Sequence, residues 1–154
     1  MKLLIENWRK FLTEQEEYSP QQKVIDMLRA EEDPDQINAA REIIKSIPDL
    51  FINANLEGVN MEDASLNDIN LSGANLKNAN LSGASLEDSN LSGANLSNAN
   101  LQGALIWYTN LSGANLSGAD LERAWFEEAV YDKQTRFPSG FDPETERLIR
   151  NDEK

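Results

Sequence analysis

Most of the side chains in this chain that could do acid–base or metal chemistry are carboxylates. Glu62, Asp63 and Asp68 lie close together in sequence, as do Glu87 and Asp88. Such groupings are raw material for a general acid–base pair or a divalent-cation site. Neither histidine nor cysteine accompanies them. Imidazole catalysis, thiol chemistry, disulfides and zinc sites built on those ligands are therefore excluded. Serines abound, but Ser112 and its counterparts sit in "SGAN" stretches with no histidine to activate them. No calcium-loop spacing and no phosphate-binding loop occurs. These acids read as solvated turn residues, and the chain is expected to be non-catalytic, with no metal and no cofactor.

Charge narrows the partners. The 154 residues carry a net charge of -13. Residues 1–50 contribute -4 and residues 132–154 only -1, while residues 51–131 hold two bases, Lys77 and Arg123, against ten acids. Such a surface repels phosphate backbones, so direct nucleic-acid binding is not expected, although imitation of nucleic acid stays open. The opening "MKLLIENWRK" places charge too early for a signal peptide, and no apolar run reaches membrane-spanning length. The expectation is a cytoplasmic protein with no membrane association.

What must position these residues is a repeat. From Phe51 onward every fifth residue is large and apolar: Phe51, Leu56, Met61, Leu66, Leu71, Leu76, Leu81, Leu86, Leu91, Leu96, Leu101, Ile106, Leu111, Leu116, Leu121, Phe126 and Tyr131. A period of five matches neither helix nor alternating strand, and a short fixed period marks a solenoid with one continuous core. Two residues before each of these centres stands alanine at 12 of 16 sites, the exceptions being Val59, Ile69, Ser89 and Thr109. Centre and alanine site are separated by one residue, so in an extended piece both point inward. Two residues after the centre, Gly, Asn or Asp fills 13 of 16 sites. Those residue types tolerate the positive φ that a tight turn requires. Each unit is thus a short extended piece and a turn.

The stretch "ANLKNANLSGASLEDSNLSGANLSNANLQGA" resembles the pentapeptide repeat family, whose pattern is A(D/N)LXX. The resemblance covers residues 49–131, and "YDKQTRFPSGFDPE" is similar to the ending of many cyanobacterial members. It implies an all-β solenoid, a right-handed quadrilateral β-helix with four units per coil and about four coils here. Four units per coil bring residues 20 apart into one column, so Ile69, Ser89 and Thr109 should stack on one face, and their hydroxyls need carbonyl or water partners.

The ends of a solenoid need caps. Residues 1–48 read as a small α-helical N-terminal cap of three helices, with Leu4, Trp8, Phe11 and Leu12 on the first. Ser19 and Pro20 open the second, whose apolar positions are Val24, Met27 and Leu28. Ile37, Ala40, Ile43, Ile44 and Ile47 line the third, which Pro48 ends. Residues 132–154 read as a C-terminal capping segment and tail, with Phe137, Pro138, Phe141 and Pro143 folded across the last coil. The closing "ETERLIRNDEK" reads as a frayed helical turn or disorder.

One irregularity interrupts the repeat. In "LQGALIWYTN", Leu105 stands where Asn or Asp is expected, and Trp107 and Tyr108 occupy the outward turn. Trp125 follows Leu105 by 20 residues, one coil on, so the two should meet outside the wall. Tyr108 should occupy a turn unlike its glycine-bearing neighbours. Outward aromatic bulk here serves either to pack the C-terminal tail or to bind another molecule, self-association included. The function expected is a non-catalytic protein-interaction or structural scaffold with an unidentified protein partner. The alternative is a DNA mimic that binds or inhibits gyrase through its acidic surface, as the family resemblance implies for some members. Residues 89–119, which contain no Asp or Glu, interrupt such a mimic.

Overall fold

A left-handed residue at every fifth position from Asn53 to Glu128 bends that part of the chain into a column. A computed structural model of the protein describes residues 20–28, 35, 42–43, 46–47 and 50–152. The chain divides into two units, Met1–Leu50 and Phe51–Lys154.

In the first unit, helix α1 spans Pro20–Leu28. Proline suits the first helical turn because its missing N–H has no partner there anyway. Val24 and Ile25 are buried, as is Ile43, and Gln21 Nε2 donates to the Leu50 carbonyl at 3.0 Å. Ile25 is a core residue that the expected stripe of Val24, Met27 and Leu28 omits. Asp35, Glu42, Ile43 and Ser46 are helical. The expected first helix with Leu4, Trp8, Phe11 and Leu12 lies outside the described residues, as do Ser19, Ile37, Ala40, Ile44 and Pro48.

In the second unit, the residue two after each centre has φ between 55° and 72° at every site from Asn53 to Glu128. The extended pieces pair through single residues 20 apart, as in Asn55↔Asn75, Asn60↔Asn80, Ser65↔Ser85 and Asn70↔Asn90. Five residues per side and 20 per circuit make four sides. The amides that a narrow core cannot serve are spent between circuits: Asn95 N–H donates to Ala74 at 2.9 Å, and Leu76 N–H donates to Asn95 at 2.8 Å. Centres fill the interior, with Leu71, Leu76, Leu81 and Leu86 fully buried and alanines beside them. Leu121, in the last regular circuit, is only partly covered.

The inward hydroxyls find carbonyls one circuit below. Ser89 Oγ donates to Leu66 O and Thr109 Oγ1 to Leu86 O, each at 2.7 Å. Outside, asparagine side chains form ladders: Asn75, Asn95 and Asn115 each donate to the asparagine below, at 3.0, 3.3 and 3.4 Å.

After Tyr131 the spacing changes, and the next ring to reach the core end is Phe137, six residues on rather than five. Asp132 absorbs the extra residue. Its Oδ1 accepts from the N–H groups of Gly113 at 2.9 Å, Gln134 at 2.9 Å and Thr135 at 3.0 Å. Register shifts accordingly, with Arg136 now opposite Asn115. Phe137 packs on Tyr131 at 5.6 Å and stacks on Phe141 at 4.9 Å, and Phe141 meets Phe126 edge-on at 5.2 Å. These rings lie over the exposed end of the core.

The expected frayed or disordered ending is corrected here. Strand β1, Val130–Tyr131, pairs in parallel with β2, Ile149–Arg150, and Leu148 is buried. Ile149 N–H donates to Ala129 at 2.8 Å and Asn151 N–H to Tyr131 at 2.7 Å. The last circuit offers unpaired carbonyls that this segment satisfies, a demand invisible to its polar local sequence.

Candidate interaction surface at one corner

Four columns of left-handed residues run up the four corners of the column. Three contain glycine, as in Asn53, Gly73, Gly93 and Gly113. There the small residue also makes room, because Asn53 Oδ1 occupies the space that a Cβ on Gly73 would take. The fourth corner has no glycine. Its residues are Asp68, Asp88, Tyr108, Glu128 and Arg147, with φ of 61°, 57°, 55°, 59° and 60°. A left-handed residue other than Gly, Asn or Asp costs about 1–2 kcal/mol, so Tyr108 and Glu128 hold their places against backbone preference.

The irregular residues gather at this same corner. Leu105 and Trp125 are bridge partners in adjacent circuits, in the column that begins with Ser65 and Ser85. The Trp107 and Trp125 rings are 6.2 Å apart and tilted by 52°. Trp125 is 58% exposed and Tyr108 49% exposed, while Leu105 and Trp107 are half-buried. Trp107 Nε1 is buried without a hydrogen-bond partner among the described residues. A groove of about 520 Å³ runs beside Trp125, between Arg123, Phe126 and Glu127 on one side and Thr145, Glu146 and Arg147 on the other.

Tyr108 does not leave the left-handed region, contrary to expectation. The coil geometry dictates that corner whatever residue stands there. What differs is the closing bond. Every other turn from Phe51 to Phe126 is closed by an N–H three residues on, as Ala104 to Leu101 at 3.0 Å. Among the described residues, the turn from Ile106 to Thr109 alone lacks that bond. Phe137 and Phe141 lie at the core end instead of on this surface, and the part of the tail that reaches it, Thr145 to Arg147, stands across the groove from Trp125.

Sequence reasoning passed over the carboxylates that frame the aromatic step. Glu87 and Asp88 hold the turn one circuit below Trp107 and Tyr108, and Glu127 and Glu128 the turn one circuit above. With Asp68 they make five of the ten repeat-region acids, all on one corner. The signal was available: the 20-residue column applied to turn residues as well as to the alanine site. Arg147 Nη1 pairs with Glu127 at 3.1 Å. Glu87, Asp88 and Glu128 make no ion pair among the described residues.

Among the described residues no group of acids is placed to hold a metal ion, and no helix is long and apolar enough to cross a membrane. Asp132, in the C-terminal turn, has a shifted carboxyl. Desolvation works to raise the Asp132 carboxyl, but hydrogen bonds from Gly113, Gln134 and Thr135 outweigh it and hold the group below its ordinary range.

A family model for pentapeptide repeats matches residues 54–93 and 94–130, in 8 copies. A crystal structure of a pentapeptide repeat protein from Nostoc is 39% identical with a TM-score of 0.55, covering 66% of this chain and 79% of that one. The pentapeptide repeat protein Rfr23 of the cyanobacterium Cyanothece is 42% identical with a TM-score of 0.33, over 56% of this chain and 62% of its own. QnrB1, a plasmid-mediated fluoroquinolone resistance protein, is 19% identical with a TM-score of 0.31, over 65% and 59% of the two chains. No curated protein matches.

Proposed function

The chain belongs to the pentapeptide repeat family, whose members fold as right-handed quadrilateral β-helices, and from that premise we propose a non-catalytic protein-interaction scaffold. The column of about four circuits presents the corner at Tyr108 to an unidentified protein partner in the cytoplasm. One observation carries this reading: the glycine-free corner holds Tyr108 where backbone preference asks for Gly, Asn or Asp, with Trp107 and Trp125 beside it. Aromatic side chains held out of the core are efficient interface anchors, and Tyr108 and Trp125 stay about half exposed although the C-terminal segment passes beside Trp125. Self-association through the same corner is a special case of this function.

The test is affinity capture from the source cell with wild type and the W107A/Y108A variant as baits. The expected outcome is a specific protein recovered by wild type and lost by the variant. Equal recovery by both baits would remove the corner from the function.

Imitation of duplex DNA towards gyrase is the weaker reading. The stacked acids favour it, but the aromatic step at Trp107 and Tyr108 breaks the run of charge between Asp88 and Glu128. A supercoiling titration should show no inhibition of gyrase; inhibition at stoichiometric protein would promote this reading over the scaffold.

A further inference from the structure

Charge at the glycine-free corner says what kind of partner it fits. Successive circuits are spaced about 4.8 Å apart. Asp88 therefore sits roughly 5 Å below Tyr108 along the corner, and Glu128 the same distance above. A cation settles over an aromatic face within about 6 Å of its centroid. A guanidinium or ammonium over the exposed Tyr108 ring would thus lie within reach of the carboxylates of both neighbouring circuits.

The protein already places one cation of its own against this corner's carboxylates. Arg147 continues the column one circuit above Glu128, and its guanidinium pairs with Glu127. Glu87, Asp88 and Glu128 remain without a cation among the described residues. Arg123, on the neighbouring corner, pairs instead with Glu122 at 3.6 Å. Aromatic faces flanked on both sides by unpaired carboxylates suit a positively charged side chain, and they oppose an acidic or wholly apolar one.

We propose that this corner binds an extended, arginine- or lysine-bearing segment of a protein partner, one cationic side chain seating on Tyr108 between Asp88 and Glu128. The apolar stems of that segment then lie along Trp107 and Trp125. This rests on the scaffold reading above and adds the chemistry of the occupant. Arginine should outbind lysine, because its planar group both stacks on the ring and bridges two carboxylates.

The experiment titrates the full chain with a hexa-arginine peptide at low and at physiological salt, by calorimetry and tryptophan fluorescence. Hexalysine, hexaglutamate and a glycine–serine peptide are the comparison ligands. Two double variants remove equal charge: D88N/E128Q at the corner and E57Q/E62Q elsewhere on the column. Circular dichroism establishes that both remain folded. The expected result is binding of hexa-arginine, weaker for hexalysine and absent for the other two peptides. D88N/E128Q should weaken it about tenfold and E57Q/E62Q less than twofold. Equal weakening by the two variants, or no binding of hexa-arginine at all, would overturn the proposal. A captured partner that needs Trp107 and Tyr108 yet binds D88N/E128Q normally would also overturn it, leaving the scaffold reading intact.

Discussion

Replacing Phe141 with alanine tests where the tail packs. The ring bridges two others, meeting Phe126 at 5.2 Å and Phe137 at 4.9 Å. A fully buried Phe→Ala change costs about 3–5 kcal/mol. Phe141 is only partly buried, which lowers the expected loss to about 2–3 kcal/mol, including roughly 0.5–1.5 for each aromatic pair. For a domain near 100 residues, a loss of that size lowers Tm by on the order of 10 °C. W125A provides the contrast. Trp125 is 58% exposed, so the ring buries less than half its area. Its removal should cost about 1–2 kcal/mol, less than the loss in F141A. Thermal melts followed by far-UV circular dichroism, with light scattering to detect association through the uncovered core end, compare the two directly. A W125A melt depressed as far as that of F141A would refute the account. It would mean that the tryptophans, and not the stacked phenylalanines, lock the end of the column.

Other expectations concern the core, the hydroxyl column, the turn at Asp132 and the strained corner. L91D should yield no folded soluble protein, because Leu91 is 1% exposed and an unpaired charge has no partner there; a soluble variant with the wild-type melt would contradict this. S89A should change stability by no more than about 1 kcal/mol in urea titrations, since alanine fits this site elsewhere and Leu66 O keeps the N–H of Ile69 at 3.4 Å. Asp132 has a carboxyl held below its ordinary value of 3.8, so its contribution is fully present above that pH and is lost as pH falls through the lower, folded value. The stability gap between wild type and D132A should accordingly be constant from neutral pH down to about 5 and shrink only in stronger acid; a gap that widens on acidification would reverse the sign of the argument. Y108N should leave Tm unchanged or slightly raised, as asparagine tolerates the left-handed corner better than tyrosine does, and a fall of more than about 5 °C would show that the ring serves folding.

Local sequence dictated the repeating unit. A large apolar residue every five positions, alanine two before it and a turn former two after it leave a chain few options. The core must hold one large and one small side chain per unit, as at Leu71 and Ala74, whatever the number of sides. The aromatic irregularity at Trp107 and Tyr108 was equally visible, because it breaks a pattern set by its own neighbours.

What tertiary structure decided is everything that depends on which units share a column. Asp68, Asp88 and Glu128 are unremarkable turn residues in sequence and join Tyr108 in one glycine-free corner only in a circuit of 20 residues. The path of the tail is the clearest case. Asp132 gathers three N–H groups, one of them from Gly113 in the circuit below, and so shifts register by a residue. Ile149 and Arg150 then close a strand against Val130 and Tyr131, although nothing in "RLIRND" repeats the pattern before it. The physical reason is that a solenoid core is encoded locally by periodic apolar side chains. Corners and ends are instead settled by contacts between circuits, whose partners lie a full turn away along the chain.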